Sequence, residues 1–97
     1  MSRTPRFSQR YRRNADRLGA VPSSPRGRAV GLTIAALARA IELPGPGDTR
    51  STIPPTGIAF VRRVQGRNLW LWYRFTDDDV TAVGLTADPP VPLDDDT

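Results

Sequence analysis

Residues 57–85, GIAFVRRVQGRNLWLWYRFTDDDVTAVGL, set the architecture that the rest of the chain must cover or decorate. Their apolar residues come in short runs of Val, Ile, Phe, Trp and Tyr, the types that pack well on a pleated surface. Two polar breaks divide the runs. Gln65-Gly66-Arg67-Asn68 offers a glycine that takes a positive φ without steric cost, and Thr76-Asp77-Asp78-Asp79 offers short side chains that satisfy a turn's own backbone. The pattern predicts an antiparallel meander of three strands over residues 57–86. In the first strand Ile58, Phe60, Arg62 and Val64 alternate with Ala59, Val61, Arg63 and Gln65. In the second, Leu69, Leu71, Tyr73 and Phe75 share one face, and Trp70, Trp72 and Arg74 the other. Both faces are partly apolar, which implies helices on one side and a ligand or another covering on the other. The third strand, Val80 to Thr86, ends ahead of Pro89-Pro90, where further pairing is blocked.

Upstream, Thr4-Pro5 reads as a helix start and Gly19 as a stop, with Phe7, Tyr11, Ala15 and Leu18 forming one apolar stripe. Arg6, Arg10, Arg13 and Arg17 take the flanks of that helix, either as a solvated surface or as a contact surface for phosphate or an acidic partner. Residues 20–28, AVPSSPRGR, read as a linker, and a second helix is expected over residues 29–43 with Val30, Ile34, Leu37 and Ile41 as its stripe. Pro44-Gly45-Pro46-Gly47 stops it. Residues 48–56 then form a polar connection, and the acidic tail, residues 91–97, has the composition of a flexible segment. The expected fold class is α+β: one domain spanning residues 1–97, with helices at about 5–18 and 29–43 packed on a three-stranded, or four-stranded, antiparallel sheet.

Composition limits the function. A chain of 97 residues holds one small core. Its 14 basic residues are all Arg, and they are unevenly placed: residues 1–50 carry net charge +7 and the remainder −3. Such polarity suits a phosphate-bearing or acidic partner. Without Cys or His, neither a disulfide nor a dedicated metal site is expected, and no cofactor motif is present. No apolar run approaches the ~18 residues of a membrane span, so a cytoplasmic protein without membrane contact is expected. The Arg-rich first 28 residues also match the composition of an organelle transit peptide, although their helical stripe, capped at both ends, argues for folded structure.

The order helix, helix, three-stranded meander, with the core RxxxGRNLWLWYRFxDDDV, resembles the bacterial RelE/ParE superfamily of toxins from type II toxin-antitoxin systems. Arg63, Gly66, Asn68, Tyr73, Arg74, Asp78 and Val80 stand at places matching that family's middle hairpin, and the likeness spans residues 57–86 well and the helices in outline. The family usually opens with a strand before its first helix, where this chain has only the short polar residues 1–4. It often carries an arginine where this chain has Trp70, and a basic or His residue near the C-terminus that is missing here. The resemblance implies a growth-arresting toxin acting by ribosome-dependent mRNA cleavage or by inhibition of DNA gyrase, the latter without catalytic residues. It also implies a cognate antitoxin whose acidic, partly disordered segment wraps the helices and basic face.

RNA cleavage needs proton transfer and positive charge on the phosphate. Arg62, Arg63, Arg67 and Arg74 supply charge, while Tyr11, Tyr73, Glu42 and the Asp residues are the groups available to move protons. On the nuclease reading Arg63, Tyr73 and Arg74 are the catalytic candidates, with Tyr73 as the base or else a core tyrosine on the face opposite Arg74. Trp70 and Trp72 either stack on bases, at roughly 1–3 kcal/mol each, or pack beneath the second helix. Together with Arg6, Arg10, Arg13, Arg17, Arg62 and Arg67 they form the candidate nucleic-acid or partner-binding set. Two non-enzymatic alternatives stand beside the toxin: a basic nucleic-acid-binding protein, and a protein-interaction module using the aromatic face.

Overall fold

A computed structural model describes residues 2–53 and 57–91. The meander forms as its alternation requires: β3 (Gly57–Arg63), β4 (Trp70–Phe75) and β5 (Asp79–Thr86), to be numbered after two earlier strands, are paired antiparallel with Phe60 opposite Tyr73 and Leu71 opposite Leu85. Gly66 takes φ +75 in the first turn. In the second it is Thr76 that satisfies the backbone, its Oγ1 accepting from the amides of Asp78 and Asp79 at 3.1 and 3.0 Å.

The sheet is larger than expected. With β1 (Thr4–Phe7) and β2 (Thr49–Ile53) it has five strands in the order β1-β5-β4-β3-β2 and is mixed, because β1 runs parallel to β5. This corrects the helix start at Thr4-Pro5: those residues form an edge strand, where the missing N–H of Pro5 is tolerated. Ser8 caps the helix instead, its hydroxyl accepting from the Tyr11 amide at 3.1 Å, and α1 spans Gln9–Arg17. Phe7 thus leaves the helical stripe, although its ring still lies 5.6 Å from that of Tyr11. The second added strand, β2 (Thr49–Ile53), converts the expected polar connection into an edge paired with β3, Ser51 opposite Ala59.

Helix α2 spans Pro25–Arg39, four residues earlier than the expected 29–43. Ser24 accepts from the Gly27 amide at 2.9 Å and Pro25 occupies the first turn, so the end of the supposed linker is the helix start. Gly27 is required there, because a Cβ would meet the Val21 carbonyl oxygen at 1.7 Å. The helix ends before Ile41, which is 95% exposed and no part of the stripe. The expected tail over residues 91–97 lies outside the described residues except for Val91, and Pro54-Pro55 likewise.

Both helices lie on one face of the sheet. Tyr11, Ala15, Val30, Ile34, Leu37 and Ala38 meet Leu69, Leu71, Tyr73, Val80, Ala82 and Leu85 in the main core. On the opposite, outer face a smaller cluster joins Ala59, Val61, Trp72 and Val83, with Trp70 packed against it. Arg3 fastens the start of the chain, its guanidinium donating to the carbonyls of Ala40 and Thr76 at 2.8 and 2.7 Å. No helix among the described residues is long and apolar enough to cross a membrane.

Candidate functional site

Strand alternation sends adjacent arginines of β3 to opposite faces. Arg62 points toward the helices and meets Asp48, whose side chain is only 1% exposed. Its Nε and a terminal nitrogen donate to the two Asp48 oxygens at 2.6 and 2.9 Å, the bidentate geometry that suits a planar guanidinium. The Gly45 amide adds a third bond at 2.8 Å, and the Tyr73 hydroxyl donates a fourth. Burial works against ionisation of Asp48, but the bonds from Arg62, Tyr73 and Gly45 outweigh it and hold its carboxyl below the usual carboxylate range. The same bond pushes the Arg62 guanidinium further up. Burial, with the neighbouring Asp48 carboxylate, pushes the Tyr73 phenol well above its ordinary value. Tyr73 is therefore a fixed proton donor inside the protein. Tyr11 is also buried, and burial raises its phenol.

The outer face holds the other arginines of the hairpin. The Arg63 guanidinium carbon lies 5.8 Å from the centre of the Trp70 ring, within cation–π range, and Arg63 donates to the Arg67 carbonyl and to Asn68 Oδ1 at 3.1 and 3.0 Å. Arg74 is exposed and donates from Nε to the Ile58 carbonyl at 3.1 Å. Trp72 is on the same side but is 7% exposed, with its Nε1 donating to Thr86 Oγ1 at 3.0 Å.

The structure therefore does not bring Arg63, Tyr73 and Arg74 together: the tyrosine hydroxyl lies on the helix side and the two arginines on the outer side. Arg62 is taken by Asp48 and is not available to a phosphate, and Trp72 offers no open face for a base. Arg63 and Trp70 do come together at the β3–β4 turn, where the backbone carbonyl of Arg67 accepts from Arg63. Arg6 lies on β1, where it pairs with Asp79 at 3.0 Å, whereas Arg10, Arg13 and Arg17 lie on α1, the last two exposed. Sequence reasoning missed Asp48, and the signal that could have found it was thin: a lone acid after Pro44-Gly45-Pro46-Gly47, with partners 14 and 25 positions away.

The helix layer contributes a second feature. Between β1, α1 and α2 lies an open groove of about 980 Å³, with Tyr11, Ala15 and Ile34 at its base, Phe7 and Val21 at its sides, and Arg12 and Arg28 among its lining residues. It is mostly apolar, and its charged lining residues are Arg12, Arg28 and Asp16. Among the described residues no cluster of acids converges to hold a metal ion. In comparisons with known proteins, no family model, no curated protein and no solved structure matches the chain.

Proposed function

We propose that the chain is a bacterial growth-arresting toxin of the RelE/ParE kind that works in the cytoplasm by binding its target, as a gyrase inhibitor does, and not by cleaving RNA. Two lines support the class: the likeness of the hairpin residues, and the presence of β1 ahead of α1, an opening strand of the sort that this resemblance implies. The observation that carries the mode of action is the Tyr73 hydroxyl, which donates to buried Asp48 on the side of the sheet away from Arg63 and Arg74. Arginine alone, always protonated, can hold a phosphate but cannot take a proton from the attacking hydroxyl. The groove between α1 and α2, mostly apolar and with Arg12 and Arg28 beside Asp16 in its lining, suits the apolar face of an acidic antitoxin segment.

Inducible expression of the intact chain in bacteria tests this reading. Growth arrest with intact cellular mRNA and gyrase-dependent DNA damage is the expected result. Absence of arrest would remove the toxin, and cleavage of translated mRNA would remove the binding-only mode. A second reading, nucleic-acid binding through the outer face, is favoured by the stack of Arg63 on Trp70 beside Arg67. It requires affinity for RNA or DNA that falls steeply with added salt.

A further inference from the structure

Arg63, Trp70 and Thr86 stand in one row across β3, β4 and β5, on the outer face and at the end of the sheet closed by the Gln65–Asn68 turn. They are not equally available. The Thr86 hydroxyl is engaged, accepting from Trp72 and donating to the Asp88 carbonyl, each at 3.0 Å. Trp72, in the next row, is buried with Ala59, Val61 and Val83, whereas Trp70 packs against that cluster and stays partly exposed. What this end of the face offers a ligand is one indole and one guanidinium.

The guanidinium is held in place. Arg63 Nε and Nη2 donate to the Arg67 carbonyl and to Asn68 Oδ1, and such bonds lie near the guanidinium plane, so they fix how that plane sits over the Trp70 ring. Part of the N–H edge is thus committed to the protein, and the flat face of an exposed side chain is left to solvent. A nucleobase is the flat partner that suits it, since bases stack both on aromatic rings and on guanidinium planes. The nearby charge has the right sign for the phosphates that flank a base. Arg67 is exposed in the same turn, which contains no acid, and Asp88 follows Thr86 at the opposite end of the row.

We infer that Arg63 and Trp70 form a stacking platform for one unpaired nucleotide, so that the outer face takes single-stranded nucleic acid and not duplex. The inference rests on the nucleic-acid reading of this face and is independent of growth arrest. In a duplex the internal bases are already stacked on both sides and must be extruded before the platform can reach them. The platform reads faces and not hydrogen-bonding edges, so it tolerates any base. Arg74 is the contrast within the same face: it is exposed, four residues along β4 from Trp70 and about 13 Å away, and among the described residues no ring lies beneath it. It supplies charge without a platform.

Fluorescence anisotropy with three labelled probes of equal length tests the inference: an oligo-deoxythymidylate, the same strand without bases, and a duplex. The strand with bases should bind roughly five- to hundredfold more tightly than the abasic strand, the weight of one stacked base, and more tightly than the duplex despite the duplex's additional phosphates. Arg63→Lys keeps the charge and loses the plane, so it should reduce the ratio of the first two affinities severalfold. Arg74→Lys, the same exchange away from the platform, should leave that ratio unchanged. Equal affinity for the strands with and without bases, a duplex bound as tightly as the single strand, or an unchanged ratio in Arg63→Lys overturns the platform and leaves a purely electrostatic outer face. Binding to none of the probes removes the nucleic-acid reading together with it.

Discussion

Arg62 and Arg63 are neighbours in sequence, identical in chemistry and opposite in use. Arg62 turns to the helix side, where it neutralises Asp48 in a site that also fixes Tyr73 and the Gly45 amide. Arg63 turns to the outer side, where its partners are a carbonyl, an amide oxygen and the Trp70 ring, all in reach of solvent. One strand thus supplies a structural cation and a surface cation from adjacent positions. Arginine content alone therefore overstates the charge a ligand can use: each guanidinium counts only on the face where it remains unpaired with a buried acid.

If that division is right, Arg62→Ala should be the most damaging of the hairpin substitutions. It leaves the Asp48 carboxylate buried without its cation, a change that costs about 3 kcal/mol or more when one partner of a buried pair is removed. For a chain of 97 residues this corresponds to a fall in Tm of more than about 10 °C in a thermal melt. A loss below about 1 kcal/mol would mean that the pair is a surface contact and that the two arginines are equivalent.

Tyr73→Phe should cost less, about 1–3 kcal/mol, because it removes one hydroxyl and leaves the Asp48–Arg62 pair in place. The variant should still arrest growth at a temperature where it is folded, whereas a catalytic tyrosine would lose all activity there. It should also change the alkaline behaviour. The Tyr73 phenol is raised in the folded state, so the unfolded chain releases its proton first, above pH ~10, and stability falls as pH rises from there by about 1.4 kcal/mol per unit. Tyr11 is raised by burial as well and contributes in the same direction. Urea denaturation between pH 10 and 11 should therefore be clearly shallower with pH in Tyr73→Phe, while the contribution of Tyr11 remains.

At the acid end the sign reverses. The Asp48 carboxyl is depressed in the folded state, so its contribution is complete above the unfolded value near pH ~4 and is lost as pH falls through the lower folded value. Asp48→Asn should be less stable than the parent at pH 7 and should lose less additional stability between pH 4 and pH 2. Parallel acid limbs in the two proteins would show that Asp48 titrates as an ordinary surface acid.

The same division explains what could be read from the chain. The meander was legible because period-two alternation of large apolar residues runs through β4 and Gly66 marks the turn, whereas in β5 a register shift breaks the period and Ala82, Val83, Gly84 and Leu85 are all buried. The two edge strands were not legible. All four residues of β1 are exposed, so they carry no alternation, and Thr4-Pro5 satisfies the chemistry of a helix start equally well. Strand β2 is Thr, Arg, Ser, Thr and Ile, held by pairing with β3 and not by any apolar period of its own. The start of α2 was written in Ser24-Pro25, but the surrounding prolines and glycine gave the same residues the composition of a loop. Of the candidate site, the outward position of Trp70 and Arg74 followed from alternation, as did the inward position of Tyr73. The pairing of Arg62 with Asp48 did not, because it depends on how the 44–48 loop folds back against the sheet.

The mildest change should come from Arg63→Gln. Its bonds to the Arg67 carbonyl and Asn68, and its position over Trp70, are exposed contacts, and such contacts contribute on the order of 0.5–1 kcal/mol at most. Stability should change by no more than that, against several times as much for the residue next to it. Binding to a polyanion should weaken, and the dependence of log affinity on log salt should become shallower by up to about one unit, the amount expected for one lost phosphate contact. Lost stability with unchanged salt dependence would invert the assignment of the two arginines. The outer face would then be structural, and any polyanion contact would have to fall on the arginines of α1.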